Sequence, residues 1–194
     1  MAENKNIPVA IKQLHLCTAF QGYAKSLMEC IEISNEKEIL VVDDDDKHIS
    51  CIVKAGDFDD KCFHAINPNS QEIILLSIDH NLIKNNKGVI ADCAVFSTSV
   101  FSFVEFKANA EGHSQKAIDG TYQKAIKQLT ETLNLFIRLI KKAHSDLLEA
   151  AGDVNCHIVV NQKFPRTNAM ENECIIRFME ENHVELSFEP SQKF

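Results

Sequence analysis

Apolar residues recur at intervals of three and four from Ile118 to Leu147, which is the spacing of one face of an α-helix. The recurring residues are Ile118, Tyr122, Ala125, Ile126, Leu129, Leu133, Phe136, Ile137, Ile140 and Leu147. The pattern predicts one long amphipathic helix, from about Asp119 to Glu149, that ends near Gly152. Such a helix must bury its apolar stripe against another element, so it limits the chain to folds that provide a large partner surface.

Strand patterns lie on both sides of this helix. The segments "QEIILLSI", "GVIADCAVFS" and "VFSFVEFKA" precede it, and "NCHIVVNQ" follows it. Short apolar runs bounded by turn residues are typical of strands that are buried in a sheet. This order of strands and helix predicts an α/β (α+β) fold, with a mixed central sheet flanked by helices.

For the remaining segments, the sequence gives a less definite secondary structure. "EILVV" and "HISCIVK" around the acidic turn "DDDDK" predict a hairpin, so residues 1–71 are expected to form a hairpin-rich N-terminal part of a single domain, 1–194. Residues 10–30 fit either a short helix or a hairpin. The tail segment "NAMENECIIRFMEEN" fits a helix with a capping box of Asn168 and Glu171, or one half of a hairpin that continues into "VELSFE".

Composition excludes several classes of protein. No apolar run approaches the roughly 20 residues of a membrane-spanning helix, and the N-terminus lacks a secretory signal, so the protein is expected in the cytoplasm. The seven cysteines are scattered singly, which predicts reduced thiols and no zinc site. P-loop, G-x-G-x-x-G and G-x-S-x-G motifs do not occur, and this sets aside kinases, dehydrogenases and hydrolases with a nucleophile elbow.

Three charged residues interrupt the apolar strands before the long helix. Glu105 and Lys107 are two positions apart on one strand, so both side chains point to the same face. If the two strands pair antiparallel through the turn "STS", Asp92 comes opposite the end that carries Glu105 and Lys107. Two carboxylates can hold a hard divalent cation such as Mg²⁺, and a lysine can position a water or stabilise charge on a phosphate. On a solvated strand end, replacing either Glu105 or Lys107 is expected to cost no more than about 0.5 kcal/mol of stability.

The order of an Asp, a hairpin, Glu-x-Lys, a helix and a further strand resembles the PD-(D/E)XK nuclease superfamily, which has the restriction-endonuclease-like fold. The resemblance covers residues 72–162, with Ala91 where the family commonly has proline. It implies a hydrolase in which Asp92, Glu105 and the backbone carbonyl of Phe106 bind Mg (or Mn), while Lys107 orients or activates the attacking water. It also implies a nucleic acid substrate, DNA ahead of RNA, and a homodimer where both strands are cut.

Further residues are candidates for supporting roles. Asp79, followed by His80 at the end of a strand, can supply a third acid or a proton-transfer group, although such a pair is more often a turn cap. Gln123 and Gln128 on the helix can hydrogen-bond the site or a phosphate. The helix also carries the basic residues expected to bind nucleic acid, which are Lys116, Lys124 and Lys127.

The net charge of −8 favours a different function. Nucleic-acid binding neutralises phosphates with lysine and arginine, and this chain has 28 acidic residues against 20 basic ones. Many of the acids lie in the first third, in the runs 43–46 and 57–60. The alternative is therefore a catalytically inactive nuclease fold that acts as an acidic protein-binding or immunity-type module.

Overall fold

The computed structural model of the chain describes residues 7–23, 25–44, 46–54, 61–84, 89–110, 112 and 114–194. The helices are α1 (Val9–Gln13), α2 (Leu16–Ala19), α3 (Gln115–Lys142), α4 (Leu147–Ala150) and α5 (Asn168–Asn182). The strands are β1 (Ile31–Ser34), β2 (Glu38–Asp44), β3 (Ile49–Val53), β4 (Phe63–Ile66), β5 (Ile73–Ser77), β6 (Cys93–Phe96), β7 (Val100–Lys107), β8 (Asp153–Val160), β9 (Glu185–Ser187) and β10 (Ser191–Lys193). A 3₁₀ turn, Leu27–Glu29, precedes β1. The predicted α+β class is confirmed at this level.

A six-stranded mixed sheet in the order β1-β5-β6-β7-β8-β9 forms the centre of the molecule. The strands β1, β5, β6 and β7 pair antiparallel in that order. After β7 the chain crosses over through α3 and α4, so β8 lies parallel to β7, and β9 is parallel to β8. A crossover helix is the usual way to join parallel strands, because a short turn cannot reverse the chain direction twice.

The two faces of this sheet are covered by different partners. One face packs against the helices, and the buried side chains on it include Ile74, Leu76, Ala94, Phe96, Phe101, Phe103, Cys156 and Ile158. The other face packs against a second sheet of four strands, in the order β10-β4-β2-β3. Because both faces are buried, the central strands read in the sequence as continuous apolar runs and not as alternating ones.

Helix α3 is shorter than the sequence pattern predicts. It begins after Ser114, whose side chain accepts a hydrogen bond from the Ala117 N–H, and it ends at Lys142. The N–H of His144 donates to the carbonyl of Lys141 and the N–H of Ser145 to that of Ile140, which is the Schellman arrangement that closes a helix. The predicted continuation to about Glu149 is therefore wrong, and the residues after the break form the separate helix α4.

The four-stranded sheet includes the predicted pair around the acidic turn. β2 and β3 run antiparallel, with Val42 opposite Cys51, and β4 joins the other edge of β2. β10 closes this sheet by pairing parallel to β4. Of the acidic runs, Asp45 and residues 57–60 lie outside the described residues.

The two ambiguous segments are both helical. Residues 9–19 form α1 and α2, and residues 168–182 form α5, followed by the short strand β9. The predicted capping box at Asn168 is wrong, because Thr167 occupies the N-cap position and makes no side-chain cap. Glu171 instead accepts hydrogen bonds from Arg166, at 2.6 Å from Nε, and from the hydroxyl of Tyr122. Its carboxylate is thus held by tertiary contacts and not by the helix terminus.

Cysteines and hydropathy give two further results. All seven cysteines are described, and each is a free thiol. Within the described ranges, no helix combines the length and the apolar character that crossing a membrane requires.

Candidate active site

Strand β6 ends where the candidate residues begin. The pairing of β6 with β7 stops at Cys93 opposite Val104, so β6 does not include Asp92 as predicted but starts one residue after it. Beyond this point Asp92 takes the place of a strand partner, because its Oδ2 accepts a hydrogen bond of 2.6 Å from the N–H of Phe106. The carboxylate of Asp92 is therefore fixed against the end of β7.

Glu105 is buried among apolar groups near this end of the sheet. Only 1% of its surface is exposed, and its Oε1 forms an ion pair with Nζ of Lys107. Its second oxygen, Oε2, is buried and has no hydrogen-bond partner. A buried carboxylate oxygen without a donor costs free energy, so this atom is well placed to accept a ligand that the chain itself does not supply.

Lys107 links this carboxylate to helix α3. Its Nζ donates to Glu105 and also to Oε1 of Gln128, at 2.9 Å. Gln128 is buried on α3, and its Nε2 donates to the carbonyl of Ile90 at 3.1 Å. The expectation that Glu105 and Lys107 lie on a solvated strand end is therefore wrong, since the side chain of Lys107 is only 13% exposed.

Burial shifts the protonation of both carboxylates toward the neutral form. Desolvation raises the pKa of Glu105 to about 7, against the opposing effect of Lys107. It also raises the pKa of Asp92 well above its usual value, and the neighbouring charges of Glu105 and Asp43 add to this effect. The hydrogen bond from the Phe106 N–H opposes the rise. A cation between the two groups would reverse this balance by favouring both charged forms.

These residues lie in a cleft of about 490 Å³. Asp92, Glu105, Phe106, Lys107 and Gln128 line it together with Asp43, Asp79, His80, Ala108, Asn109, Ala110, Thr121 and Lys124. Sequence reasoning missed Asp43 and Thr121. In the sequence Asp43 begins the predicted acidic turn "DDDDK", and only the packing of the second sheet against the first brings it to the cleft. Thr121 carries no local pattern that sets it apart from other polar helix residues.

The remaining predicted residues divide between two cavities. Asp79 and Lys124 line the cleft, as does Gln128. Gln123 and Lys127 do not: they line a larger groove of about 670 Å³ between α3 and α5, which contains neither Asp92 nor Glu105. The helical period explains the difference, because positions 124 and 128 are one turn apart on one face while 123 and 127 lie on the next. Lys116 is exposed in the first turn of α3 and is not among the residues that line the cleft.

The residues of the cleft fit a magnesium ion better than a transition metal. In the described part of the chain, no three His, Cys, Asp or Glu side chains are arranged to hold a metal ion. Magnesium, however, commonly takes one or two carboxylates and keeps several waters. Glu105 offers the unpartnered Oε2, and Asp92 keeps Oδ1 while Oδ2 is bonded to Phe106. In an extended strand the N–H and the carbonyl of one residue face the same edge, so the carbonyl of Phe106 is expected at the edge where its N–H bonds Asp92.

Comparisons with known proteins give no match: no protein-family model, no curated protein and no solved structure is significantly similar to this chain. The function is therefore argued from the geometry of the cleft.

Proposed function

We propose that this protein is a metal-dependent nuclease of the PD-(D/E)XK type, which hydrolyses phosphodiester bonds in nucleic acid, DNA ahead of RNA. The observation that carries the proposal is the buried Glu105, which is paired with Lys107, has an unpartnered Oε2 and lines the same cleft as Asp92. An arrangement that only stabilised the fold would not need two acids whose burial raises the pKa of each.

The order of the elements supports the proposal. Asp92 stands before β6, and Glu105 and Lys107 lie at the end of β7, the partner strand in an antiparallel hairpin. The helix α3 then crosses over to β8, which is parallel to β7. This is the order on which the resemblance to PD-(D/E)XK nucleases was based, and the helix contributes Gln128 to the same cleft.

Each residue has a role that follows from its contacts. Asp92, Glu105 and the Phe106 carbonyl would hold a magnesium or manganese ion, which when bound supplies an activated water and positive charge at the phosphate. Lys107 holds one oxygen of Glu105, so that Oε2 stays directed to the ligand, and its ammonium group stabilises negative charge that develops on the phosphate. Gln128 fixes the Lys107 side chain from the helix side.

An acidic binding module remains the second candidate, because Asp43 and Asp79 also line the cleft and the net charge is −8. Such a module would present the acids of the cleft to a basic protein surface and would need neither metal nor Lys107. Cleavage separates the two functions, since only the nuclease requires a bound cation.

The test is cleavage of DNA and RNA by purified protein, with Mg²⁺ or Mn²⁺ and with a chelator. We expect metal-dependent cutting that Glu105→Gln abolishes, because the amide keeps the shape of the side chain and loses the charge that holds the cation. Lys142→Ala, an exposed position at the C-terminal end of α3 and outside the cleft, should leave the rate unchanged. Circular dichroism checks that each variant is folded. A folded, unaltered protein that cuts neither nucleic acid with either metal would overturn the proposal in favour of the binding module.

A further inference from the structure

The turn after β5 lies beside the candidate metal ligands and is tied to one of them. The N–H groups of Ile78 and Asp79 both donate to the carbonyl of Asp92, at 2.9 and 3.2 Å. Asp79 also forms an isolated bridge with Ile83, and its carbonyl accepts from the N–H of Asn81 at 2.7 Å. The backbone of this turn is thus positioned by the same residue whose side chain reaches Phe106.

His80 projects from this turn at the cleft. It lines the cleft with Asp92 and Glu105, and among the described lining residues it is the single histidine. Its side chain is 65% exposed, so a substrate can reach it. Its Nε2 lies 3.7 Å from Oδ2 of Asp79, and its backbone N–H donates to Oδ1 of the same carboxylate at 2.7 Å.

The proposed reaction needs a proton that the buried residues are poorly placed to give. Hydrolysis turns the leaving sugar oxygen into an alkoxide, which departs far more easily when it is protonated as the bond breaks. Lys107 already donates two of its three N–H groups, one to Glu105 and one to Gln128. Histidine is the side chain most often used for proton transfer, and His80 is the histidine among the described residues that line the cleft.

We propose that His80 is the general acid of this site, with Asp79 as the carboxylate that orients its ring; the inference rests on the proposed nuclease function. The attacking water oxygen forms a bond to phosphorus, and the bond between phosphorus and the leaving oxygen breaks with its electron pair on that oxygen. A ring N–H of His80 transfers its proton to the leaving oxygen. The neutral ring then regains a proton from solvent, and solvent takes the proton that the attacking water releases.

A comparison of two substrates tests this role. Natural DNA has a sugar oxygen as the leaving group, whereas the p-nitrophenyl ester of thymidine 5′-phosphate releases p-nitrophenolate, which departs without protonation. The variant is His80→Asn, because asparagine tolerates the left-handed backbone at φ 56° and cannot transfer a proton. The matched control is His48→Asn: His48 has φ 53°, its ring centre lies 6.1 Å from that of His80, and it is not among the cleft-lining residues.

We expect His80→Asn to lower kcat on DNA by about 100- to 10,000-fold and to change kcat on the nitrophenyl ester by less than about threefold. His48→Asn should leave both rates unchanged. An equal loss on both substrates, or no loss on DNA, would overturn the role of His80 while leaving the nuclease function standing. If the unaltered protein cleaves neither substrate with metal present, the proposed function fails and this inference fails with it.

Discussion

At the scale of single residues, the central feature is the carboxylate of Glu105, whose burial costs free energy. Glu105 is almost fully inaccessible, has one oxygen on Lys107 and leaves the other without a donor. A buried ion pair is rarely a net gain over a well-packed apolar pair, because both charges must lose their water. The pair is therefore better explained by what it can bind than by its contribution to stability.

Stability should depend on pH through this residue. The pKa of Glu105 rises from 4.5 to about 7 in the fold, so its contribution to stability is fully present below about pH 4.5 and is lost as the pH rises through 7. We expect the metal-free protein to lose up to about 3 kcal/mol more than Glu105→Gln over this range. Urea unfolding in chelator at both ends of the range measures it. Asp92 shifts in the same direction and remains in the variant, so parallel pH profiles would contradict this account of Glu105.

At the scale of elements, helix α3 holds the segment that carries Asp92. The hydroxyl of Thr132 accepts a 2.7 Å hydrogen bond from the N–H of Ala91 and donates to the carbonyl of Gln128, also at 2.7 Å. Together with the bond from Gln128 to Ile90, this fixes two consecutive residues before Asp92 to the helix. The crossover helix therefore helps to set the distance between Asp92 and the end of β7.

Removing the Thr132 hydroxyl should loosen this attachment. Thr132→Val keeps the shape of the side chain and leaves the buried N–H of Ala91 without an acceptor, which costs about 1–3 kcal/mol. Native-state hydrogen exchange should show faster exchange at the Ala91 amide in this variant. Thr132→Ser retains the hydroxyl and is the control, so protection of Ala91 that is equal in the two variants would count against the attachment.

The elements differ in how far the sequence predicts them. The strands β5, β7 and β8 were predicted because their apolar runs are long. That Asp92, Glu105 and Lys107 lie at the same end of the sheet was predicted from the alternation of side chains along two strands. The end of α3 was not predicted, because the apolar stripe in the sequence continues to Leu147. In the structure His144 adopts the left-handed conformation that ends the helix. The burial of Glu105 and Lys107 and the approach of Asp43 were also not predicted, since both depend on packing between layers that no local pattern encodes.

At the scale of the whole molecule, the central sheet lies between a helical layer and a second sheet, and the cleft draws residues from all three. Asp43 comes from β2, Glu105 and Lys107 from β7, and Lys124 and Gln128 from α3. The charges that line the cleft are of both signs, although the chain as a whole is acidic. A nucleic acid bound here would thus depend on a few well-placed lysines and on the cation.

The position of the lysines on α3 predicts which of them contacts a substrate. Lys124 lines the cleft and its charge acts on Glu105, whereas Lys127 lines the groove between α3 and α5. Lys124→Ala should weaken DNA binding and reduce the slope of log affinity against log salt by about 1. Lys127→Ala, on the neighbouring face of the helix, should change neither quantity. Fluorescence anisotropy over a salt series measures both, and equal effects of the two variants would place the nucleic acid elsewhere.

The central claim is that Asp92 and Glu105 hold a divalent cation, and Mn²⁺ tests it without any assumption about substrate. Electron paramagnetic resonance counts free Mn²⁺ in a titration of the metal-free protein, so it gives the number of bound ions directly. We predict one bound Mn²⁺ per chain for the unaltered protein, the same for Lys116→Ala, and none at this site for Glu105→Gln or Asp92→Asn. Folded protein that binds no Mn²⁺, or that binds it equally well after either carboxylate is replaced, would contradict the account.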